Sequence, residues 1–140
     1  MSVNRETPVD GLVRRQGTQG QAKTVVTVLA SLAKRGIPLL ARIDHAAAAR
    51  AAGLLLPPTE LLVFGSAAAG TPLMIARDTI AIDLPLKLLV QEAPDGRACL
   101  SYNDPGWIAQ RHGLSPECDA TITAMRALLA AIVREAAPTA

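Results

Sequence analysis

The feature of this sequence that most restricts its fold is the near absence of aromatic side chains from a chain that is half hydrophobic. Hydrophobic residues make up 50% of the 140 residues, but Phe64, Tyr102 and Trp107 are the only aromatic ones. Alanine, leucine, valine and isoleucine must therefore fill the core, which favours closely packed helices over large cavities lined by rings. A chain of this length buries roughly two thirds of its unfolded surface, which is enough for a core without disulfides or metals.

Periodic apolar residues and turn residues predict the order of the secondary-structure elements. Short apolar or alternating runs predict five strands, at residues 12–16, 39–43, 61–64, 85–92 and 97–102. Apolar stripes and capping residues predict two long helices, at residues 20–35 and from Ser115 onward, and three short ones, at residues 45–52, 73–77 and 105–112. The helix-strands-helix order is typical of an α+β fold.

This order predicts a mainly antiparallel sheet with the two long helices on one face and short extra helices around it. We expect a single domain over residues 12–135, a polar lead-in over residues 1–11 and a tail over residues 136–140. Leu89 and Cys99 fall at strand positions that face away from the helices. We therefore expect a second chain or the short helices to cover that face of the sheet.

Charge and hydropathy exclude several classes of protein. The net charge is only +2, which does not favour a nucleic-acid-binding surface. The polar amino terminus lacks the apolar core of a signal peptide, and the longest apolar stretch, Ala46 to Leu56, is too short to span a bilayer. Cys99 and Cys118 lack the spacing of a zinc or redox motif. We expect a cytoplasmic protein with no membrane association.

Four blocks of residues occur in a characteristic order. They are Arg42-Ile-Asp-His45, Glu60-Leu-Leu-Val-Phe-Gly65 leading to Gly70-Thr-Pro-Leu-Met74, Ile82-Asp-Leu-Pro-Leu-Lys87, and Leu100-Ser-Tyr-Asn-Asp-Pro105 followed by Arg111-His-Gly113. In this order and spacing, the chain resembles the bacterial family called domain of unknown function 302 from about residue 13 to residue 114. The resemblance implies a TATA-binding-protein-like fold (β-α-β4-α), often dimeric, and no established activity.

The two histidines are candidate metal ligands. His45 follows Asp44 at a strand-to-helix junction, where a carboxylate can orient an imidazole, and His112 lies near the end of the short helix that starts at Pro105. If folding brings Asp44, His45 and His112 together, a divalent transition metal is the natural ligand. In one alternative, both histidines are local caps. In another, either imidazole acts as a general acid or base oriented by Asp44 or Asp104.

A candidate anion site precedes the third predicted helix. The Gly65-x4-Gly70 spacing resembles a phosphate-binding loop, but Thr71-Pro72 stands where that motif requires a lysine. What remains is a helix start at Thr71, whose backbone N–H groups and hydroxyl could bind a small anion. The alternative is a glycine turn followed by an ordinary cap.

A second group of polar and aromatic residues lies where the last predicted strand meets a helix. Tyr102, Asn103, Asp104 and Trp107 are candidates for the mouth of a ligand pocket, and Arg111 is placed one helical turn from Trp107, where the two side chains can stack. The alternative is a cluster of caps in which Trp107 fills a corner of the core or a dimer seam.

Together these features predict a homodimeric binding module for a small anion, a metal or a metal-bearing cofactor. Two alternatives stay open. One is an enzyme that uses His45 or His112 as its general acid or base, and the other is a structural dimerisation domain whose seam contains Trp107 and Leu89. The sequence does not identify a ligand or a reaction.

Overall fold

Five strands form the centre of the fold in a computed structural model that describes residues 7–138. Their bounds are β1 Leu12–Gln16, β2 Leu39–Asp44, β3 Thr59–Phe64, β4 Leu86–Glu92 and β5 Ala98–Asn103. They form one sheet in the order β1-β5-β4-β3-β2, and every neighbouring pair is antiparallel. This arrangement confirms the predicted α+β class and leaves β1 and β2 at the two edges.

Two long helices cover one face of the sheet, as predicted. The helices are α1 Gln21–Lys34, α2 His45–Ala51, α3 Ala67–Ala76, α4 Pro105–His112 and α5 Asp119–Ala136, and short 3-10 helices span Asp78–Ile82 and Pro116–Cys118. Helices α1 and α5 pack against each other, and α1 contacts β4 and β5. The β-α-β4-α order of the resemblance is therefore present, with three shorter helices added.

Aliphatic side chains fill the space between these helices and the sheet. The predicted stripes are buried, namely Val25, Val28 and Leu32 of α1 and Ile122, Met125, Leu129 and Ile132 of α5. Leu88 and Val90 face them from β4 with no exposed surface. Of the three aromatic residues only Phe64 is fully buried, so the core depends on aliphatic packing, as the composition predicts.

Side-chain caps start two of the helices where the sequence places them. Asp44 Oδ1 accepts a hydrogen bond from the Ala47 N–H at 2.9 Å, and Asp104 Oδ1 accepts one from the Gly106 N–H at 2.9 Å. Gly113 ends α4 in the left-handed conformation (φ 63°), which a residue without Cβ adopts at little cost. These caps confirm the predicted starts of α2 and α4.

The segment after β3 differs from the prediction. A helix starting at Thr71 was expected, but α3 begins at Ala67, and Ser66 Oγ accepts a hydrogen bond from the Ala68 N–H at 3.1 Å. Thr71 and Pro72 therefore lie inside the helix. The serine cap and the run of alanines, which have the highest helix propensity, start α3 earlier than the proline predicts.

The carboxyl-terminal end also differs. Ala136 closes α5 and Ala137 is fully buried, and the Arg15 Nε–H donates a hydrogen bond to the Ala137 carbonyl at 2.7 Å. The predicted tail over residues 136–140 is thus packed against β1 for its first two residues. Residues 1–6 of the predicted lead-in and residues 139–140 of the tail lie outside the described residues.

The face of the sheet opposite α1 and α5 carries apolar side chains. Ile43 of β2 lies opposite Leu61 of β3, which lies opposite Leu89 of β4. Leu61 and Leu89 are half-buried, and Ile43 is 42% exposed. Arg42, the neighbour of Ile43 in β2, lies on the opposite, helical side of this edge strand, where it pairs with Glu60. We call the face of the sheet that carries Ile43, Leu61 and Leu89 the outer face.

Candidate functional site

The two histidines lie at opposite ends of the sheet. Neighbouring strands alternate in direction, so β2 and β5 run in opposite directions. Their carboxyl-terminal ends therefore lie at opposite ends of the sheet. His45 follows β2, whereas His112 ends α4, the helix that follows β5. The predicted metal set of Asp44, His45 and His112 does not come together. Within residues 7–138, no group of three or more His, Cys, Asp or Glu side chains is placed to hold a metal ion.

His112 is nearly buried and has a partner on each ring nitrogen. Its Nε2 lies 2.5 Å from Asp83 Oδ2, its Nδ1 lies 2.9 Å from Thr79 Oγ, and 8% of the residue is exposed. Thr79 is carried by the 3-10 helix Asp78–Ile82, and Asp83 follows directly after it. Together with Arg111 these residues form what we call the Asp83 cluster.

Asp83 is the charged centre of this cluster. Arg111 Nη1 lies 2.9 Å from Oδ1 and 2.7 Å from Oδ2 of the same carboxylate. Burial would raise the pKa of Asp83, but the bonds from His112 and Arg111 outweigh it and hold that pKa below its ordinary value. Arg111 also lies over the ring of Trp107, 5.9 Å from its centroid, so the predicted stacking pair is formed.

The end of the sheet near His45 is organised around a different carboxylate. Glu60, 8% exposed, accepts hydrogen bonds from Arg42 Nε at 2.6 Å and from Gln21 Nε2 at 3.1 Å. A small cavity of about 140 Å³ lies beside it, with Asp44 in its wall. His45 is exposed and does not line this cavity. Asp44 is occupied as the cap of α2.

Two of the predicted pocket residues line a shallow cavity of about 380 Å³ between β5 and α5. Tyr102 and Asp104 lie in its wall together with Arg126, whose Nε lies 3.0 Å from Asp104 Oδ1. Burial raises the pKa of Tyr102, so its hydroxyl stays protonated at neutral pH. The structure therefore brings Tyr102 and Asp104 to one cavity, beside an arginine that the sequence analysis did not single out.

The other residues of that predicted pocket lie elsewhere. Trp107 packs against the core and against Gly11, where a Cβ would lie only 2.2 Å from the Trp107 ring. Only glycine fits at that position, which also has a positive φ of 74°. Asn103 pairs with Leu12 in the sheet and lines none of the three cavities described here. The interpretation of Trp107 as a core-corner residue agrees with this packing.

The largest cavity of the three lies at the His112 end of the sheet, on the helical side. Its volume is about 450 Å³. It is lined by Ile37, Pro38, Leu40, Gly65, Ser66, Ala67, Ala69, Gly70, Thr71, Met74, Leu84, Pro85, Leu86, Met125 and Leu128. We call it the apolar cavity. Thr71 is thus part of a cavity wall and not the start of a helix.

Sequence reasoning missed the central residues of both features. Thr79 and Asp83 were not paired with His112, because the two parts of the chain are 33 and 29 positions apart and follow no spacing motif. The available signal was position: Asp83 and Arg111-His112 both belong to the blocks that carry the family resemblance. The apolar cavity gave no such signal, since its walls are ordinary aliphatic residues.

The helices within residues 7–138 do not combine the length and the apolar character that crossing a bilayer requires.

In sequence, the family described as domain of unknown function DUF302 matches residues 15–132. In fold, the crystal structure of an uncharacterized conserved protein DUF302 from Bacillus stearothermophilus matches with a TM-score of 0.80 at 16% identity. That match covers 91% of this chain and 99% of the solved chain, and at this identity it shows the fold alone.

Curated proteins with higher identity carry a different name. The proteins named fluoride-specific ion channel FluC 1 from Brucella suis biovar 1 (strain 1330) and Brucella abortus biovar 1 (strain 9-941) are each 44% identical over 115 residues. The alignment covers 82% of this chain but only 45% and 43% of those proteins, respectively. The chain therefore spans less than half the length of these relatives.

Proposed function

Since this chain belongs to the DUF302 family, whose function is unknown, we propose a function from its geometry: it is a binding module for a small apolar molecule. The observation that carries the proposal is the apolar cavity, whose volume of about 450 Å³ lies within the roughly 300–1,000 Å³ of small-molecule sites. The cavity is partly open to solvent, so a ligand can enter it without unfolding the domain.

The lining determines the class of ligand. None of the lining residues carries a charge, and Ser66 and Thr71 supply the only side-chain hydroxyls. A ligand with an apolar body and one neutral polar group fits this lining, because a charged group would lose its hydration without gaining a partner. The lining therefore gives less support to the small anion, metal or metal-bearing cofactor that the sequence predicts.

A neutral fluorescent probe tests the proposal. We expect N-phenyl-1-naphthylamine to bind the folded chain saturably with one probe per chain, and the Ala69→Phe variant to bind about tenfold more weakly, equivalent to about 1.4 kcal/mol. Ala69 lines the apolar cavity, so a phenyl ring there occupies the space of the ligand.

The chain offers a matched control for this substitution. Ala68 is the neighbouring residue of the same helix, is exposed and does not line the cavity. Ala68→Phe adds the same ring and should leave probe binding unchanged. Equal binding by both variants, or no saturable binding by the wild type, would contradict the proposal. Native mass spectrometry with elemental analysis of the purified chain shows whether an anion or a metal is carried instead.

We further propose that a second copy of the chain covers the outer face, so that the module is a dimer. Five strands of about six residues make a face of roughly 24 by 20 Å, near the lower end of the area used by specific interfaces. The dimer should therefore dissociate on dilution. Light scattering should show Leu61→Glu as a monomer, while Val26→Glu, which changes an exposed residue of α1, stays dimeric. A monomeric wild type at high concentration would exclude this dimer.

A cytoplasmic location remains a prediction.

A second candidate function comes from the Brucella relatives. Their 44% identity to this chain is confined to less than half of their length, so we propose that the chain corresponds to a domain that accompanies a fluoride channel. Reconstituted in liposomes, the Brucella suis protein should release fluoride, while this chain alone should match empty liposomes on a fluoride electrode. Fluoride release by this chain alone would overturn the assignment as an accompanying domain.

A further inference from the structure

The Asp83 cluster contains a threonine on an exposed position whose hydroxyl is hydrogen-bonded to a nearly buried imidazole. Thr79 is exposed, while His112 is 8% exposed and lies with its Nδ1 2.9 Å from the threonine hydroxyl. Asp83 holds the other ring nitrogen at 2.5 Å. A hydroxyl, a base within hydrogen-bond reach and a third group that orients the base make up the general arrangement of an activated nucleophile.

The hydrogen-bond pattern assigns the protons. Asp83 is ionised at neutral pH and can only accept, so the proton on His112 Nε2 is donated to it. When the ring is neutral, Nδ1 therefore carries a lone pair, and the Thr79 O–H donates to it. When the ring gains a proton, Nδ1–H donates to Thr79 Oγ. The cluster thus accommodates both states that a base passes through when it takes a proton from a hydroxyl.

Arg111 fixes this arrangement from outside. Its Nη1 contacts both oxygens of Asp83, including the Oδ2 that His112 bonds, and its guanidinium lies over the Trp107 ring, so two side chains hold the carboxylate in place. A merely structural clip between α4 and the 3-10 helix would need only a bond to His112. Here the chain of hydrogen bonds continues beyond His112 to the hydroxyl of Thr79, an exposed residue.

We propose that Thr79 is an acyl acceptor and that the chain transfers small acyl groups from activated esters. Thr79 Oγ attacks the ester carbonyl carbon as its proton passes to His112 Nδ1. The bond from that carbon to the alcohol oxygen then breaks, and the leaving alcohol takes the proton from His112. Water then attacks the acyl carbon as its proton passes to His112 Nδ1. The bond from that carbon to Thr79 Oγ breaks, Thr79 Oγ takes the proton back from His112, and the carboxylic acid leaves. Asp83 acts as a positioning residue through His112.

This activity is separate from ligand binding in the apolar cavity, because none of Thr79, Asp83, Arg111 and His112 lines that cavity. Failure of acyl transfer at Thr79 would therefore not count against ligand binding in the apolar cavity, and failure of binding would not count against acyl transfer. Fragmentation of the acylated peptide in the mass spectrometer assigns the acetyl group to a single residue, so the site of acylation is read directly.

The test uses 4-nitrophenyl acetate and the full chain. We expect release of 4-nitrophenolate together with one acetyl group on the peptide that contains Thr79. General-base catalysis contributes about 10²–10⁴-fold, so Thr79→Val should lower the rate of nitrophenolate release about a hundredfold, and Thr79→Ser should retain it. Both changes are at an exposed position and should leave the fold intact.

Thr27→Val is the matched control, because the Thr27 hydroxyl donates to the Lys23 carbonyl at 3.1 Å and has no histidine beside it. It should react like the wild type. Asp83→Asn should lower kcat with little change in KM, because Asp83 orients His112 and is not placed to contact the ester. An acetyl group only on other residues, or Thr79→Val reacting at the wild-type rate, would overturn the proposal, whether or not Asp83→Asn folds.

Discussion

The two ends of the sheet begin from similar sequence features and end in different chemistry. Each has an aspartate that caps a helix directly after a strand, Asp44 before α2 and Asp104 before α4. Each has one histidine, His45 in the first turn of α2 and His112 in the last turn of α4. Only His112 is buried and paired, because the end of α4 lies against the 3-10 helix that brings in Thr79 and Asp83.

The difference teaches that adjacency to a carboxylate in sequence is a poor guide to pairing. Asp44 is the neighbour of His45, yet its Oδ1 is occupied by the Ala47 N–H. His112 has no adjacent carboxylate in sequence and finds Asp83 29 positions away. A cap aspartate next to a histidine in sequence therefore does not imply that the two side chains pair, and the carboxylate that does bond His112 comes from another element.

The strongest test of this comparison removes the carboxylate at the His112 end. Asp83→Ala should lower the free energy of unfolding by about 2–3 kcal/mol, because the nearly buried His112 and the guanidinium of Arg111 lose a charged partner. Urea unfolding at neutral pH, followed by circular dichroism, measures the loss. A loss no greater than that caused by Asp44→Ala would mean that the two ends are equivalent in energy.

Acid should lower the free energy of unfolding by less than Asp83→Ala does. Protonation removes the charge of Asp83 but leaves the carboxyl group in place. Its pKa is lower in the folded chain than the ordinary value of about 3.9, so its stabilisation is complete above that pH and is lost as the pH falls through the folded pKa. Urea unfolding between neutral pH and the lowest pH at which the chain stays folded follows this loss.

Asp83→Asn is the control for the pH series. Glu135, bonded to Arg35, also has a lowered pKa and loses its stabilisation over the same acid range in both proteins. The difference between wild type and Asp83→Asn therefore isolates Asp83, and it should be largest at neutral pH and shrink in acid. A difference that is constant with pH would show that the charge of Asp83 does not contribute.

At the other end, Asp44→Ala should cost about 1 kcal/mol, the usual value of a lost helix cap. Asp44→Asn should retain most of the stability, because an amide oxygen can still accept from the Ala47 N–H. Thermal unfolding of the three proteins measures both effects. If the asparagine and alanine variants lose the same stability, Asp44 stabilises α2 through its charge and not through the cap.

The features that could be predicted from the sequence are those that depend on residues close together along the chain. The bounds of α4 at Pro105 and His112 depend on residues a few positions apart, and both were predicted correctly. The antiparallel class of the sheet was predicted as well, but its strand order was not, because β1 pairs with β5 from a distant part of the chain. The pairing of His112 with Asp83 depends on how two distant elements pack, which no spacing rule encodes.

The apolar cavity was beyond sequence reasoning for another reason. The scarcity of aromatic residues predicted a closely packed aliphatic core, and the interior between α1 and the sheet agrees with that. At the edge, α3 starts earlier than Thr71-Pro72 indicated, and its wall of small residues, Ala67, Ala69 and Gly70, leaves space that larger side chains would fill. Small residues allow two elements to pack closely only where a second helix or strand lies against them; elsewhere they leave a cavity.

The smallest expected effect is the one that sharpens the comparison most. His45 is exposed and the cap of α2 is made by Asp44, so His45→Ala should change the free energy of unfolding by less than about 0.5 kcal/mol. Alanine even has the higher helix propensity at this position, which offsets any small loss. The same measurement on His112→Ala supplies the contrast. A loss at His45 comparable to that at His112 would show that the imidazole at the β2 end has a partner in solution, and the assignment of a passive surface role to His45 would then be wrong.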